Sequence, residues 1–297
     1  MGPLGKDCPN LDSVVDITNG EMQTVRSEDN RRWPARAFGH RGVVLPKEHG
    51  AYAEIIFPLI TALYLGNGNI ASLLLAAAAI AAFLAHESFL VILGERGVRA
   101  RTQLRAQAMG TAGLLLTAAM TAAALGLWHA PAGVLRAALI PLCATALLVP
   151  LIFGRREKTL AGEFLVALIF SSALIPVARA GDVRFHTAMV ASSAWFGIFA
   201  LQTLSVRAVK AHVKTALGMS SPALIVVALS LAVVFAALIL AGVRGLAVIP
   251  MMAVCPAALV GLACVWLRVH PRHLRSLGWV LVASDLIALA VLMAPWG

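Results

Sequence analysis

Nine apolar stretches, each separated from the next by a short polar connection, organise the chain from residue 51 onward: 51–67, 69–94, 106–128, 132–153, 159–179, 185–206, 222–242, 245–267 and 276–294. At 1.5 Å rise per residue each is long enough to span a bilayer core. The pattern predicts an all-α polytopic membrane protein with nine transmembrane helices in a single bundle. Charge then sets the sidedness. The even-numbered connections carry 13 cations: Arg96, Arg99, Arg101 and Arg105; Arg155, Arg156 and Lys158; Arg207, Lys210 and Lys214; Arg268, Arg272 and Arg275. The odd-numbered ones carry four, Arg136, Arg179, Arg184 and Arg244. The positive-inside rule places the N-terminus and the even connections in the cytoplasm and the C-terminus outside. An odd number of spans agrees with that orientation.

Composition narrows the class. With 60% hydrophobic and 13% charged residues the chain does not read as a soluble domain. The net charge of +10 sits in short connections beside the spans. There it meets anionic lipid headgroups, so membrane lipids rather than nucleic acid are the expected partners. Cys8, Cys143, Cys255 and Cys264 have no metal-ligand spacing and read as packing residues. Residues 1–44 read as a mobile cytoplasmic tail and 45–297 as the transmembrane domain. Residues 1–40 contain Asp7, Asp12, Asp16, Glu28 and Asp29 and no apolar run, which is not the pattern of a signal peptide.

The first two spans meet at Gly66-Asn67-Gly68-Asn69, a turn short enough to force an antiparallel hairpin. Pro58, Pro176 and Pro256 lie inside spans, where each removes a backbone donor and can kink its helix. Ionisable residues inside spans are costly and therefore mark candidate sites. Four acids qualify: Glu54, Glu87, Glu163 and Asp285. Counted from the helix ends, Glu54, Glu87 and Glu163 fall in the cytoplasmic half, and Asp285 near mid-membrane. With Glu48, His49, His86 and Gln202 they predict a polar cavity open to the cytoplasm. Thr203, Arg207, Lys210 and Lys214 fall on one helical face. Arg96, Arg101, Arg207 and Lys210 are candidates for holding an anionic headgroup, since arginine forks match phosphate. The alternative for each acid is pairing with a nearby cation to hold helices together. No Walker loop, nucleophile elbow or zinc-protease motif is present, and no metal site is expected.

The run Leu45-Pro46-Lys47-Glu48-His49-Gly50-Ala51-Tyr52, followed by Pro58, resembles the opening of the YwiC-like family of bacterial integral membrane proteins. A second resembling piece is Ala85-His86-Glu87-Ser88-Phe89-Leu90 with Leu93-Gly94-Glu95-Arg96-Gly97-Val98-Arg99-Ala100-Arg101, where Ser88 stands in place of the family's proline. The resemblance implies residence in the bacterial cytoplasmic membrane and names no reaction. The wider layout resembles the UbiA-type membrane prenyltransferases, which implies nine helices, a cytoplasmic N-terminus and a cytosol-facing cavity. Those enzymes bind prenyl diphosphate through magnesium held by Asp-rich stretches after spans two and six. Neither connection contains Asp here. No cofactor is therefore called for, and magnesium is disfavoured.

Three readings stay open. The first is a protein that binds or modifies an isoprenoid or other anionic lipid in the cavity; if an enzyme, it is a prenyltransferase-like transferase. The second is a small-molecule or proton-coupled transporter using Glu54, Glu87 and Asp285. The third is a non-catalytic scaffold whose charges only join helices.

Overall fold

The computed structural model describes residues 49–294 apart from 96, 155, 157, 213–220 and 244–247. The described residues contain helices and no strand. In order these are α1 (His49–Leu65), α2 (Ile70–Leu93), α3 (Val98–His129), α4 (Val134–Phe153), α5 (Leu160–Ser172), α6 (Leu174–Ala180), α7 (Phe185–His212), α8 (Ser221–Val243), α9 (Val248–Trp266) and α10 (Leu274–Leu292). A 3-10 turn, Pro271–His273, precedes the last. Among the described residues, seven segments are long and apolar enough to cross a membrane, with Leu160–Ala180 counted as one. Tyr52–Leu65 and Ser221–Ala237 are further apolar helical stretches among the described residues. Every apolar stretch read from the sequence falls on helix.

The fifth stretch falls on two helices, and proline gives the reason. Pro176 has no N–H to offer the carbonyl four residues earlier, at Ser172. The helix ends there, and α6 restarts at Leu174. Ser171 and Ser172 turn their hydroxyls back to the carbonyls of Leu168 and Ile169, each at 3.2 Å. Pro58 and Pro256, by contrast, lie within unbroken helices.

The surface is that of a chain solvated by lipid. Leu114, Met120, Leu142, Leu147 and Phe235 are all exposed, where a soluble protein would bury such residues. Trp128 closes α3 and Trp266 closes α9, both highly exposed. Tryptophan at helix ends suits the headgroup level of a bilayer.

Within the bundle α7 is the centre. The membrane-length window of α7 is 56% buried, against 17% in α3 and in α4. Trp195, Ile198 and Phe199 of α7 are fully enclosed. Helix α1 packs on α2, α5, α6, α7 and α10, whereas α3 leans on α2, and α4 on α5 and α6. The Trp195 indole N–H donates to Thr61 Oγ1 at 3.1 Å, joining α7 to α1, and Phe57 stacks on the same indole.

One end of the bundle is clasped by small residues. Asn67 and Gly68 adopt left-handed backbone angles in the α1–α2 turn. Asn69 then caps α2: its Oδ1 accepts from the Ser72 amide at 2.8 Å. Its Nδ2 donates to the Ala180 carbonyl at the end of α6, 2.6 Å away. Beside it Gly66 and Gly181 meet backbone to backbone. A Cβ on Gly181 would stand 2.5 Å from the Gly66 Cα. The opposite end carries the α2–α3, α4–α5 and α9–α10 connections and is rich in arginine and lysine; it is called the basic end below.

Gly181→Ala is therefore expected to destabilise the purified protein by about 1–3 kcal/mol, because both backbones must part. A Cβ on Gly113 of α3 meets nothing within 4 Å. Gly113→Ala is expected to be neutral or to stabilise by up to about 1 kcal/mol through helix propensity. Thermal unfolding of both variants in one detergent checks the contrast.

Candidate functional site

Ring contacts set the helix registers, and the registers sort the polar residues by depth. Tyr52 of α1 meets Phe83 of α2 edge-on at 5.6 Å, and Phe83 meets Phe170 of α5 at 5.4 Å. Glu87 lies one turn beyond Phe83 toward the basic end, about 6 Å. Glu163 lies two turns beyond Phe170, about 10 Å. These two acids, from α2 and α5, thus both lie toward the basic end, Glu163 about 4 Å further along than Glu87.

Arg207 of α7 reaches the level of Glu163. Its Nε donates to Glu163 Oε2 at 2.5 Å, and its Nη2 to the Lys158 carbonyl at 2.8 Å. Each bond has a local cause. Thr159 caps α5 by accepting from the Gly162 amide. That cap places Glu163 in the first helical turn, where a carboxylate also suits the positive end of the helix dipole. The pair is about one-third exposed on both sides. Arg207 thereby anchors the α4–α5 connection to α7. A guanidinium has five N–H donors. Arg207 uses two in these bonds.

A second polar level lies nearer the middle. Glu54 precedes Thr61 by seven residues on α1, and Gln202 follows Trp195 by seven on α7. Since Thr61 and Trp195 are bonded, Glu54 and Gln202 come to one depth, about 10 Å from that bond toward the basic end. Gln202 is buried and donates from Nε2 to Asp285 Oδ1 of α10 at 2.5 Å and to Ser284 Oγ at 3.3 Å. Asp285 is 2% exposed.

The sequence candidates are thus distributed as follows. Glu163 joins Arg207 directly, and Gln202 joins Asp285. Glu54, His86 and Glu87 are half-buried on α1 and α2. Arg101 is exposed on α3, its side chain laid over Gly94; its Cδ is 3.2 Å from where a Cβ on that glycine would stand. Gly94 is the left-handed cap of α2, so this cation faces the negative end of a helix. Lys210 is exposed one turn beyond Arg207. Glu48, Arg96 and the side chain of His49 lie outside the described residues. No group of three or more metal-ligating side chains occurs among the described residues. Thr61, Ser284 and the Lys158 carbonyl carry no charge that marks them in the sequence, and their partners are 134, 82 and 49 residues away.

The YwiC-like protein family model matches residues 45–178. The matched YwiC-like stretch runs from the motif before α1 to the last turn of α6. It holds Glu54, His86, Glu87 and Glu163, and it stops short of Arg207, Gln202 and Asp285. Arg207 thus ties the YwiC-like part to the rest of the bundle through Glu163. The chain has no match among the curated proteins and none among the solved structures.

The Arg207–Glu163 pair is expected to show a coupling of about 0.5–1.5 kcal/mol in a double-mutant cycle of Arg207→Ala and Glu163→Ala, the low range reflecting its solvent exposure. Arg207→Lys is expected to keep the charge and lose one of the two bonds, since an ammonium lacks the planar fork. Unfolding midpoints of the four cycle members and of the lysine variant measure both.

Proposed function

We propose that this chain is a nine-span protein of the bacterial cytoplasmic membrane, N-terminus inside and C-terminus outside, that takes the anionic end of an isoprenoid or other anionic lipid at its basic end. The observation that carries the reading is Arg207. It is held in place by Glu163 and the Lys158 carbonyl, which leaves three N–H donors without a partner among the described residues, one turn from the exposed Lys210. A positioned guanidinium with spare donors is what phosphate recognition needs. Arg101, exposed at the start of α3, adds a second cation at the same end. Glu54, Glu87 and Glu163 supply the polar wall of the proposed cavity, and Glu48, His49 and Arg96, whose side chains lie outside the described residues, remain candidates for it. A UbiA-like arrangement of the helices belongs to the same proposal, and the missing Asp-rich pair makes direct cation contact the preferred mode over magnesium.

Orientation is tested by single cysteines introduced at Gly68 and at Lys158 in a chain cleared of native cysteines. An impermeant maleimide added to right-side-out vesicles is expected to label position 68 and spare 158. The reverse result overturns the orientation.

Lipid binding is tested in nanodiscs with a polyprenyl phosphate as probe. EDTA is expected to leave binding unchanged. The Arg101→Ala/Lys210→Ala double variant is expected to weaken it about tenfold or more, from the loss of charge-assisted hydrogen bonds. Binding abolished by EDTA and unaffected by the double variant would overturn direct contact.

A further inference from the structure

The Gln202–Asp285 pair stands apart from the basic end and has a different chemistry. Asp285 lies on the buried face of α10 with Leu277, Ser284, Ala288 and Leu292. A carboxylate so enclosed needs compensation, because an isolated charge in a low-dielectric interior is very costly. Its hydrogen-bond partner is an amide, which donates to it and carries no charge. The elements around Asp285 carry further titratable groups toward their ends, His186, Lys210 and His212 on α7, His49, Tyr52 and Tyr64 on α1 and Arg275 on α10 itself, and the following groups besides. Helix α7 brings Arg207, five residues toward the basic end and engaged with Glu163 and Lys158. Helix α1 brings Glu54, an acid, at the same depth. Helix α9 brings Cys255 and Cys264, on either side of the buried Ala257 and Ala258. The 3-10 turn carries His270, Arg272 and His273, some 12 or more residues along the chain from Asp285. Among the described residues, no lysine, arginine or histidine bonds to Asp285.

We propose that Asp285 is a proton-binding site in the membrane interior and that Gln202 is its positioning residue. The inference is independent of the lipid reading above. The step is simple: a proton from water adds to a carboxylate oxygen, and no heavy-atom bond breaks. An amide suits both states. With the carboxylate ionised, Gln202 donates from Nε2, as in the observed arrangement. With the acid formed, its new O–H donates to Gln202 Oε1 once the amide turns over. Ser284, whose Oγ donates to the Leu281 carbonyl at 2.7 Å, accepts from Gln202 and keeps the amide at this level. A change of protonation here acts on the contact between α7 and α10, since Gln202 and Asp285 join those two helices.

Infrared difference spectroscopy on the full chain in nanodiscs tests this, with pH steps in H₂O and D₂O and with choline or sodium chloride as the salt. The expected result is a deuterium-sensitive C=O band of a carboxylic acid that grows as pH falls and does not depend on sodium. It is expected to vanish in Asp285→Asn and to shift in Gln202→Leu. Glu54→Gln, Glu87→Gln and Glu163→Gln are each expected to retain it, which assigns the band even if Asp285→Asn fails to fold. No titrating band in the wild-type protein, or a band lost in any one of the glutamine variants, overturns the proposal. A band that responds to sodium at fixed pH overturns it in favour of an alkali-ion site.

Discussion

The architecture depends on a clasp of three short contacts at the end of the bundle opposite the basic end. Asn69 caps α2 and holds the last carbonyl of α6, while Gly66 and Gly181 allow the two turns to touch. In hydrocarbon no water is present to satisfy a loose carbonyl, and apolar side chains gain little by leaving lipid for one another. Specific hydrogen bonds and close backbone approach must then set the register. The clasp sets α1, α2 and α6 level with one another, and the Thr61–Trp195 bond extends the register to α7. The depths of all the inner polar residues follow from these contacts.

Two polar levels result, and they differ in how charge is compensated. Near the basic end, Glu163 meets Arg207 where solvent still reaches both. Such a pair is worth little as a stability element and much as a fixed geometry. Deeper in, Asp285 meets Gln202 in near-complete enclosure. There the partner supplies direction and the carboxyl must find its neutralising charge elsewhere.

The helices were legible because apolar length is a one-dimensional signal, and Ile70–Leu93 matches its sequence reading to within a residue at each end. Helix α3 begins well before its apolar stretch, at Val98, since Arg99, Arg101 and Arg105 are good helix formers that a hydropathy window discards. The break before Pro176 was readable only as a kink. The back-bonding of Ser171 and Ser172 onto Leu168 and Ile169 at that point is not visible in apolar periodicity. At the site, Arg207 and Glu163 were both singled out, yet their pairing was one alternative among several. The structure shows Arg207 as a brace between α7 and the start of α5. The sequence places Gln202 among the cavity residues without a partner, and its contact lies with Asp285, 83 residues on. Pairings of that kind depend on which helices are neighbours, and apolar periodicity carries little of that information when helices are greasy on every side.

The interruption between α5 and α6 has a mechanical side. Beyond Ser172 the chain is clamped: α6 is buried along nearly all its length, and its end is held by Asn69. Before Ser172, α5 is a lever of 13 residues with Arg207 gripping its far end. A continuous helix would carry any tilt at that grip straight through to the clasp. Here the Ser172 carbonyl faces a proline nitrogen that carries no hydrogen, so the join at Ala173 lacks one backbone bond that a continuous helix has, and a tilt imposed at the basic end meets its least resistance there.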